Sequence, residues 1–306
     1  MEIHDIVVIG AGPAGITAGI FAVRRSMKVV VLGDAMSLST MEEASLVDDW
    51  PGMPGVMGPE LIVKFREHAK KLAVPLMNEK AVEIRKKGKN FIVKTERAEY
   101  ETRTVIVATG ARHRKAMVPG EKEFAGRGVT YCANCEGPLY RGKKVLVVGG
   151  GDTAATYALL LDQMGCHTTL LHRREELRAV DVYIRNLKKS KVKFIWNALL
   201  MEIKGGKMVS SVVYQDVKTK ETKEIPMDGV FIAIGSVPSS ELVKNLGVKT
   251  DEAGFIKADK KQMTNVPGVF AAGDCSDGCT KRIVTSTAEG SIAAEMAFEF
   301  IRAGNV

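Results

Sequence analysis

At 306 residues, 45% of them hydrophobic and 26% charged, the chain has the balance of an ordinary globular protein and the length for two domains. No apolar run approaches the roughly 20 residues that span a bilayer. Met1-Glu2-Ile3-His4-Asp5 carries neither the basic region nor the cleavage site of a secretory leader, so a cytoplasmic location without a membrane partner is expected. The formal charge of +8 is spread along the chain rather than clustered, which argues against a nucleic-acid partner.

The first element expected is a strand, Asp5-Ile6-Val7-Val8-Ile9. It runs into Gly10-Ala11-Gly12-Pro13-Ala14-Gly15, a G-x-G-x-x-G, and then into an apolar stretch from Ile16 to Val23 that suits a buried helix. In such a turn the first glycine makes the bend and the second lets backbone approach a pyrophosphate. The third lets helix and strand pack closely. The phosphates would rest on the unpaired N–H groups of the helix N-terminus. A second strand, Lys28 to Leu32, ends at Gly33-Asp34, about where a ribose-binding acid is expected. Lys80 to Tyr100 reads as strand and hairpin, and Arg103 to Gly110 as a strand ending in a small-residue turn at Thr109-Gly110.

Next comes Tyr131-Cys132-Ala133-Asn134-Cys135-Glu136-Gly137. Two cysteines at C-x-x-C spacing can close a small disulfide, and its reduction yields a thiolate able to attack another disulfide. Glu136 adjoins the pair, where a carboxyl can carry the proton that such exchange moves. The competing reading is half of a metal site completed by Cys275 and Cys279, but C-x-x-C with a distant C-x-x-x-C is atypical spacing for zinc. No metal is therefore expected. Cys275 and Cys279 read as inert small side chains or an auxiliary thiol pair, and Cys166, after Gly165, as a core residue.

The glycine-rich pattern then recurs. Lys144 to Val148 leads into Gly149-Gly150-Gly151-Asp152-Thr153-Ala154, a helix follows to about Met164, and a strand from His167 to Leu171 ends in His172-Arg173-Arg174. Where an NAD site would place an acid, this strand delivers cations. Arg178 would join them if a turn of helix forms between 174 and 178. A guanidinium fork suits a phosphate, so NADP(H) is expected over NAD(H). Lys204 to Ile225 reads as strand and hairpin, Asp228 to Gly235 and Gly268 to Asp274 as strands, and Thr287 to Ile301 as a closing helix.

Taken in order, these segments resemble the small, bacterial and archaeal thioredoxin reductase family over nearly the whole length. Further matching segments are Val47 to Gly52, Val107 to Ala111 and Gly126 to Val129. The resemblance implies an α/β fold of two Rossmann-like, three-layer ββα dinucleotide-binding domains. An NADPH-binding domain (117–243), carrying Cys132 and Cys135, is inserted into an FAD-binding domain (1–116 and 244–306). FAD contacts are implied at Gly10, Gly12, Pro13, Ala14, Gly15, Asp34, Asp49, Thr109, Gly110, Gly273, Asp274, Arg282, Ile283 and Val284. NADPH contacts are implied at Gly149, Gly151, Asp152, Thr153, Ala154, His172, Arg173, Arg174, Arg178, Ile234 and Gly235. The resemblance further implies a homodimer in which electrons pass from NADPH through FAD to a Cys132–Cys135 disulfide. Cys135 would face the flavin and Cys132 would attack thioredoxin or a glutaredoxin-like protein. Hinges between the domains would lie near Val118-Pro119-Gly120 and Ile234-Gly235-Ser236. The chain departs from the family at Gly33 to Met41, which lacks the usual Gly-Gly-Gln, at Glu136, which replaces an Asp, and at Arg282-Ile283-Val284, which replaces Arg-Gln-Ala. The altered flavin loop motivates a second reading, a disulfide reductase fed by a deazaflavin or ferredoxin. A third reading, a dinucleotide-binding redox sensor without turnover, rests on fold analogy.

Overall fold

A computed structural model describes residues 2–34, 39–42, 47, 49–278 and 280–304, without the Cys135 side chain. Cys279 and residues 35–38 of the altered flavin loop lie outside the described residues. The chain divides into two compact units, 1–112 with 237–306, and 113–236.

In the first unit, β1 (Ile3–Ile9) leads through the glycine turn into α1 (Pro13–Arg24) and back into β2 (Val29–Gly33). After α2 (Gly58–Lys71) come β3 (Leu76–Asn78), β4 (Ala81–Lys87), β5 (Asn90–Thr95), the long β6 (Glu99–Val107) and β7 (Ala111–His113), at whose end the chain crosses to the second unit. β1 pairs in parallel with β2 and β6, and β2 with β3. β6 also pairs antiparallel with β5, and β5 with β4, so a meander grows from the same strand.

Side-chain alternation produces three layers. Ile6, Val8, Val29, Val31 and Ile106 face a core shared with the helices. Val7, Ile9, Val30, Leu32, Val105 and Val107 face the opposite way, into a core with Ile84, Phe91 and Val93 of the meander. Both faces of the parallel strands are covered, which is why they read as unbroken apolar runs. α1 is rich in Gly and Ala because it must lie close: a Cβ at Gly19 would fall 2.7 Å from a Val31 methyl.

The second unit repeats the plan. It comprises β8 (Val129–Thr130), the one-turn α3 (Ala133–Glu136), β9 (Lys144–Gly149), α4 (Asp152–Gln163), β10 (His167–Leu171), α5 (Asp181–Lys189), β11 (Lys193–Ile195), β12 (Ala198–Gly205), β13 (Val209–Asp216), β14 (Thr222–Pro226) and β15 (Gly229–Ala233). The parallel order is β11-β10-β9-β15-β8, beside an antiparallel β12-β13-β14 sheet. Val145, Val147 and Leu170 face the core with α4 and α5, whereas Leu146, Val148 and Leu171 face Leu200, Ile203 and Val212 of the antiparallel sheet. The chain then returns through β16 (Ser236–Pro238) to β17 (Val269–Ala271), which pairs with β6, and to α6 (Ile283–Arg302) in the first unit.

Several details differ from the sequence-based expectation. α6 begins four residues before Thr287, where the Thr285 hydroxyl accepts the Arg282 N–H at 3.1 Å and so closes the first turn. No helical turn forms at 174–178. The crossings fall at 112/113 and 236/237, ahead of the expected 116/117 and 243/244. Ala116 and Met117 are already bonded to Glu121 of the second unit, and Val243 is buried in the first unit's core. Val118-Pro119-Gly120, near which a hinge is expected, lies inside the second unit: the Ile203 N–H donates to the Pro119 carbonyl at 3.0 Å, and a Cβ at Gly120 would sit 1.9 Å from the Ile203 oxygen. Among the described residues, no helix is long and apolar enough to cross a membrane.

Candidate functional site

The first cradle is built where β1, β6 and β17 end side by side. Gly10 has φ +116°, its N–H donates to the Leu32 carbonyl at 2.7 Å, and a Cβ there would lie 2.1 Å from the Ala108 oxygen. Gly15 backs onto the Gly10 carbonyl, where a Cβ would fall at 1.7 Å. Gly12 is the N-cap of α1 and Pro13 its first residue; no side chain caps the helix, and no acid stands in its first turn. N–H groups and the positive end of the helix dipole are thus left for an anion beside Ala14 and Gly15. Gly33 packs against Ala11, so Asp34 follows immediately beside the glycine turn. From β6 come Thr109, whose hydroxyl donates to the Ser239 carbonyl, and Gly110 at φ +67°. Gly273-Asp274 follows β17, and the Asp274 carboxylate accepts from the Ser286 hydroxyl of α6. Arg282 lies 3.5 Å from the Asp49 carboxylate, and Ile283 and Val284 open α6.

Burial pushes the Asp274 carboxyl above its ordinary range, against the pull of Lys281, the Ser286 hydroxyl and Arg282. Burial also raises Glu289, whose carboxylate accepts the Gly273 N–H at 2.6 Å and so fixes the turn that carries Asp274. Sequence reasoning missed Glu289, because a lone Glu in a helix bears no motif. α6 reaches the cradle through Gly290, where a Cβ would fall 2.1 Å from the Ala14 oxygen.

The second cradle repeats this geometry. Gly149 has φ +156°, and a Cβ there would lie 2.1 Å from the Ala233 oxygen, which places Ile234 and Gly235 next to the turn. Gly151 is the N-cap of α4, with Asp152, Thr153 and Ala154 in its first turn. The Asp152 carboxylate accepts the Val180 N–H at 2.8 Å, and the Arg178 N–H donates to the Gly150 carbonyl at 2.7 Å. These two bonds fold the arginine segment back over the glycine turn, as an extended bend rather than a helix. Arg173, Arg174 and Arg178 thereby line one cavity of about 500 Å³, formed by residues 173–178 and Asn197. His172 does not line it. It is 5% exposed and packs under Gly150, where a Cβ would fall 2.1 Å from its ring, and its Nε2 has no hydrogen-bond partner. Burial lowers its pKa.

Cys132 is held in a disulfide and is 8% exposed. It directly precedes α3, whose last residue, Glu136, donates its N–H to the Cys132 carbonyl at 3.3 Å. Cys135 lies in the same helical turn. Cys166 and Cys275 are free, buried thiols. Burial raises both thiol pKa values, which disfavours the reactive thiolate. No group of His, Cys, Asp and Glu among the described residues could hold a metal.

A third cluster escaped the sequence. Glu121 is 4% exposed and accepts N–H bonds from Ala116 and Met117 at 2.9 and 2.6 Å, and the Tyr131 hydroxyl at 2.6 Å. The Tyr131 ring stacks on His113 and carries the Lys115 ammonium 3.5 Å from its centre. The residue preceding Cys132 is thus tied to the segment that enters the second unit.

Two glycine cradles on three-layer α/β units, with a cystine between them in sequence, define a dinucleotide-dependent disulfide oxidoreductase. Residues 4–290 match the pyridine nucleotide-disulphide oxidoreductase family, and the chain belongs to it. It is 39% identical over 303 residues to a thioredoxin reductase of Bacillus subtilis (strain 168), covering 98% of this chain and 95% of that protein. Among solved structures it resembles Lactococcus lactis thioredoxin reductase in its FR conformation, with a TM-score of 0.93 at 40% identity, covering 98% of this chain and 99% of that one. The T. acidophilum thioredoxin reductase matches with a TM-score of 0.90 at 34% identity and the same coverage.

Proposed function

We propose that this chain is an NADPH-dependent, FAD-containing thioredoxin-disulfide reductase. The observation that carries the reading is the disulfide at Cys132 in a chain with two dinucleotide cradles, one of them beside an arginine-lined cavity. The cradle at Gly10–Gly15 fits FAD, because only glycine admits the close backbone approach there and the start of α1 is left open to a pyrophosphate. The cradle at Gly149–Ala154 fits NADPH, because three arginines line the space beside it. When bound, the two cofactors together supply the pair of electrons that opens the disulfide.

Cys132 pairs with Cys135 across the single turn of α3, and two electrons with two protons convert the pair to thiols. As a thiolate, Cys132 attacks the thioredoxin disulfide: a new S–S bond forms and the partner's leaving sulfur departs as thiolate. Cys135 then attacks Cys132, which restores the internal disulfide and releases the partner's second sulfur. Glu136, one residue beyond Cys135, supplies and recovers the protons these thiolates exchange. Because Cys132 is 8% exposed, a protein disulfide reaches it only after a movement that uncovers the sulfur.

Mixing the protein with NADPH, thioredoxin and a chromogenic disulfide should give NADPH-dependent reduction. Cys132→Ser should abolish it and leave the protein yellow. A colourless protein that cannot be reconstituted with FAD ends the proposal. Rapid anaerobic bleaching of the flavin by NADPH excludes a deazaflavin or ferredoxin as the required donor, and sustained turnover excludes a sensor.

A further inference from the structure

The arginine-lined cavity holds its own contradiction. Glu175 and Glu176 share its wall with Arg173, Arg174 and Arg178. A bare carboxylate there opposes the phosphate that the arginines favour. One of the two is answered from elsewhere in the same unit. The turn between β13 and β14 brings Lys218 to Glu175, and the two form a hydrogen-bonded ion pair. Each shifts the other's proton affinity toward the charged form.

The turn is fixed where it stands. The Asp216 carboxylate accepts the N–H groups of Lys218 and Thr219 at 2.8 and 2.9 Å. The Val217 N–H donates to the Asn197 carbonyl at 2.6 Å, and the Asn197 N–H to the Arg174 carbonyl at 3.3 Å. Asn197 itself lines the cavity. The hairpin is therefore tied by backbone bonds to an arginine that lines the cavity, and it presents an ammonium to the carboxylate next in sequence.

Resting on the NADPH reading above, we infer that Lys218 is a specificity-determining residue for the coenzyme: by neutralising Glu175 it lets the cavity prefer a 2′-phosphate to a 2′-hydroxyl. Lys218 acts through Glu175 and is a positioning residue rather than a direct phosphate ligand. Both side chains are well exposed, at 63% and 65%, so the effect is modest and fades with salt.

The test is calorimetric titration of the intact flavoprotein at low ionic strength with 2′,5′-ADP and with 5′-AMP. Wild type, Lys218→Ala, Glu175→Gln and the double variant are compared. Lys218→Ala should weaken 2′,5′-ADP binding roughly two- to fivefold, leave 5′-AMP unchanged, and lose its effect in the Glu175→Gln background. An unchanged 2′,5′-ADP affinity, an equal loss for 5′-AMP, or a loss that persists in the double variant overturns the inference while the coenzyme reading stands. A wild-type protein that binds the two nucleotides equally overturns both.

Discussion

The Tyr131 hydroxyl meets a carboxylate that is almost wholly out of water. Burial, and then the bond to Glu121, raise the Tyr131 pKa, so the phenol stays a donor at every working pH. Hydrogen bonds to charged groups contribute more than neutral ones, and removing one partner leaves the other desolvated. Tyr131→Phe should therefore destabilise the second unit by about 1–2 kcal/mol in urea unfolding, the lower part of the range because Tyr131 is partly exposed. An unchanged midpoint would show that Glu121 is satisfied by its two backbone donors alone. His4 makes the opposite kind of statement. Its Nδ1 is buried without a partner, its ring meets Tyr100 edge-on, and burial lowers its pKa from 6.5. A lowered imidazole pKa means the unfolded chain binds the proton more readily. Stability is then full above pH 6.5 and is lost as pH falls through the folded value. His4→Phe keeps an aromatic ring and removes the titration, so the stability difference between about pH 8 and pH 5 should narrow relative to wild type. A pH profile parallel to wild type would refute this. His172 acts in the same direction in the second unit.

At the scale of elements, the two strand–turn–helix units show which parts of the site a sequence can carry. Gly10 and Gly149 were legible because the turn each makes, at positive φ, is written in a short local motif, even though the carbonyl 2.1 Å from any Cβ there belongs to a distant strand end, at Ala108 and Ala233. Alanine at either should destabilise its own unit by several kcal/mol, since both backbone strain and a backbone clash must be relieved. Gly12 and Gly151 differ. Both have negative φ, at −83° and −99°; among the described residues a Cβ at Gly151 meets nothing within 4 Å, and one at Gly12 meets only a Ser39 carbon at 3.8 Å. Gly12→Ala and Gly151→Ala should leave stability within about 0.5 kcal/mol of wild type, yet weaken the nucleotide whose pyrophosphate approaches that turn. Flavin retention and 2′,5′-ADP affinity separate the two: Gly12→Ala should affect the first and Gly151→Ala the second. The reverse pattern would exchange the two cradles. What the sequence did not carry is non-local. Arg178 reaches the cavity through a bond to Gly150, not through a helix, and Glu121, Glu289 and Lys218 gain their meaning from partners far along the chain. A Glu or Lys in isolation reads as a solvated charge.

For the molecule as a whole, the insertion of one unit into the other is sterically simple because each pair of cut ends meets inside its own unit. In the second unit the Arg114 N–H donates to the Gly235 carbonyl at 2.9 Å. In the first, the Ser239 N–H donates to the Gly110 carbonyl at 3.0 Å. Each unit also has cores on both faces of its parallel sheet. A domain whose termini adjoin and whose core is complete has the means to fold alone, since closing its ends costs little chain entropy. Residues 113–236 expressed alone should therefore unfold cooperatively in urea and bind 2′,5′-ADP within about threefold of the intact protein, as every group lining the arginine cavity belongs to this unit. The complementary chain, 1–112 joined to 237–306 by a short glycine linker, should retain flavin. A 113–236 fragment that is folded yet does not bind, while the intact protein does, would mean that the coenzyme site draws on the other unit. A fragment without a cooperative transition would mean that the second unit's two cores are insufficient by themselves, and that its stability in the whole chain comes from beyond its own residues.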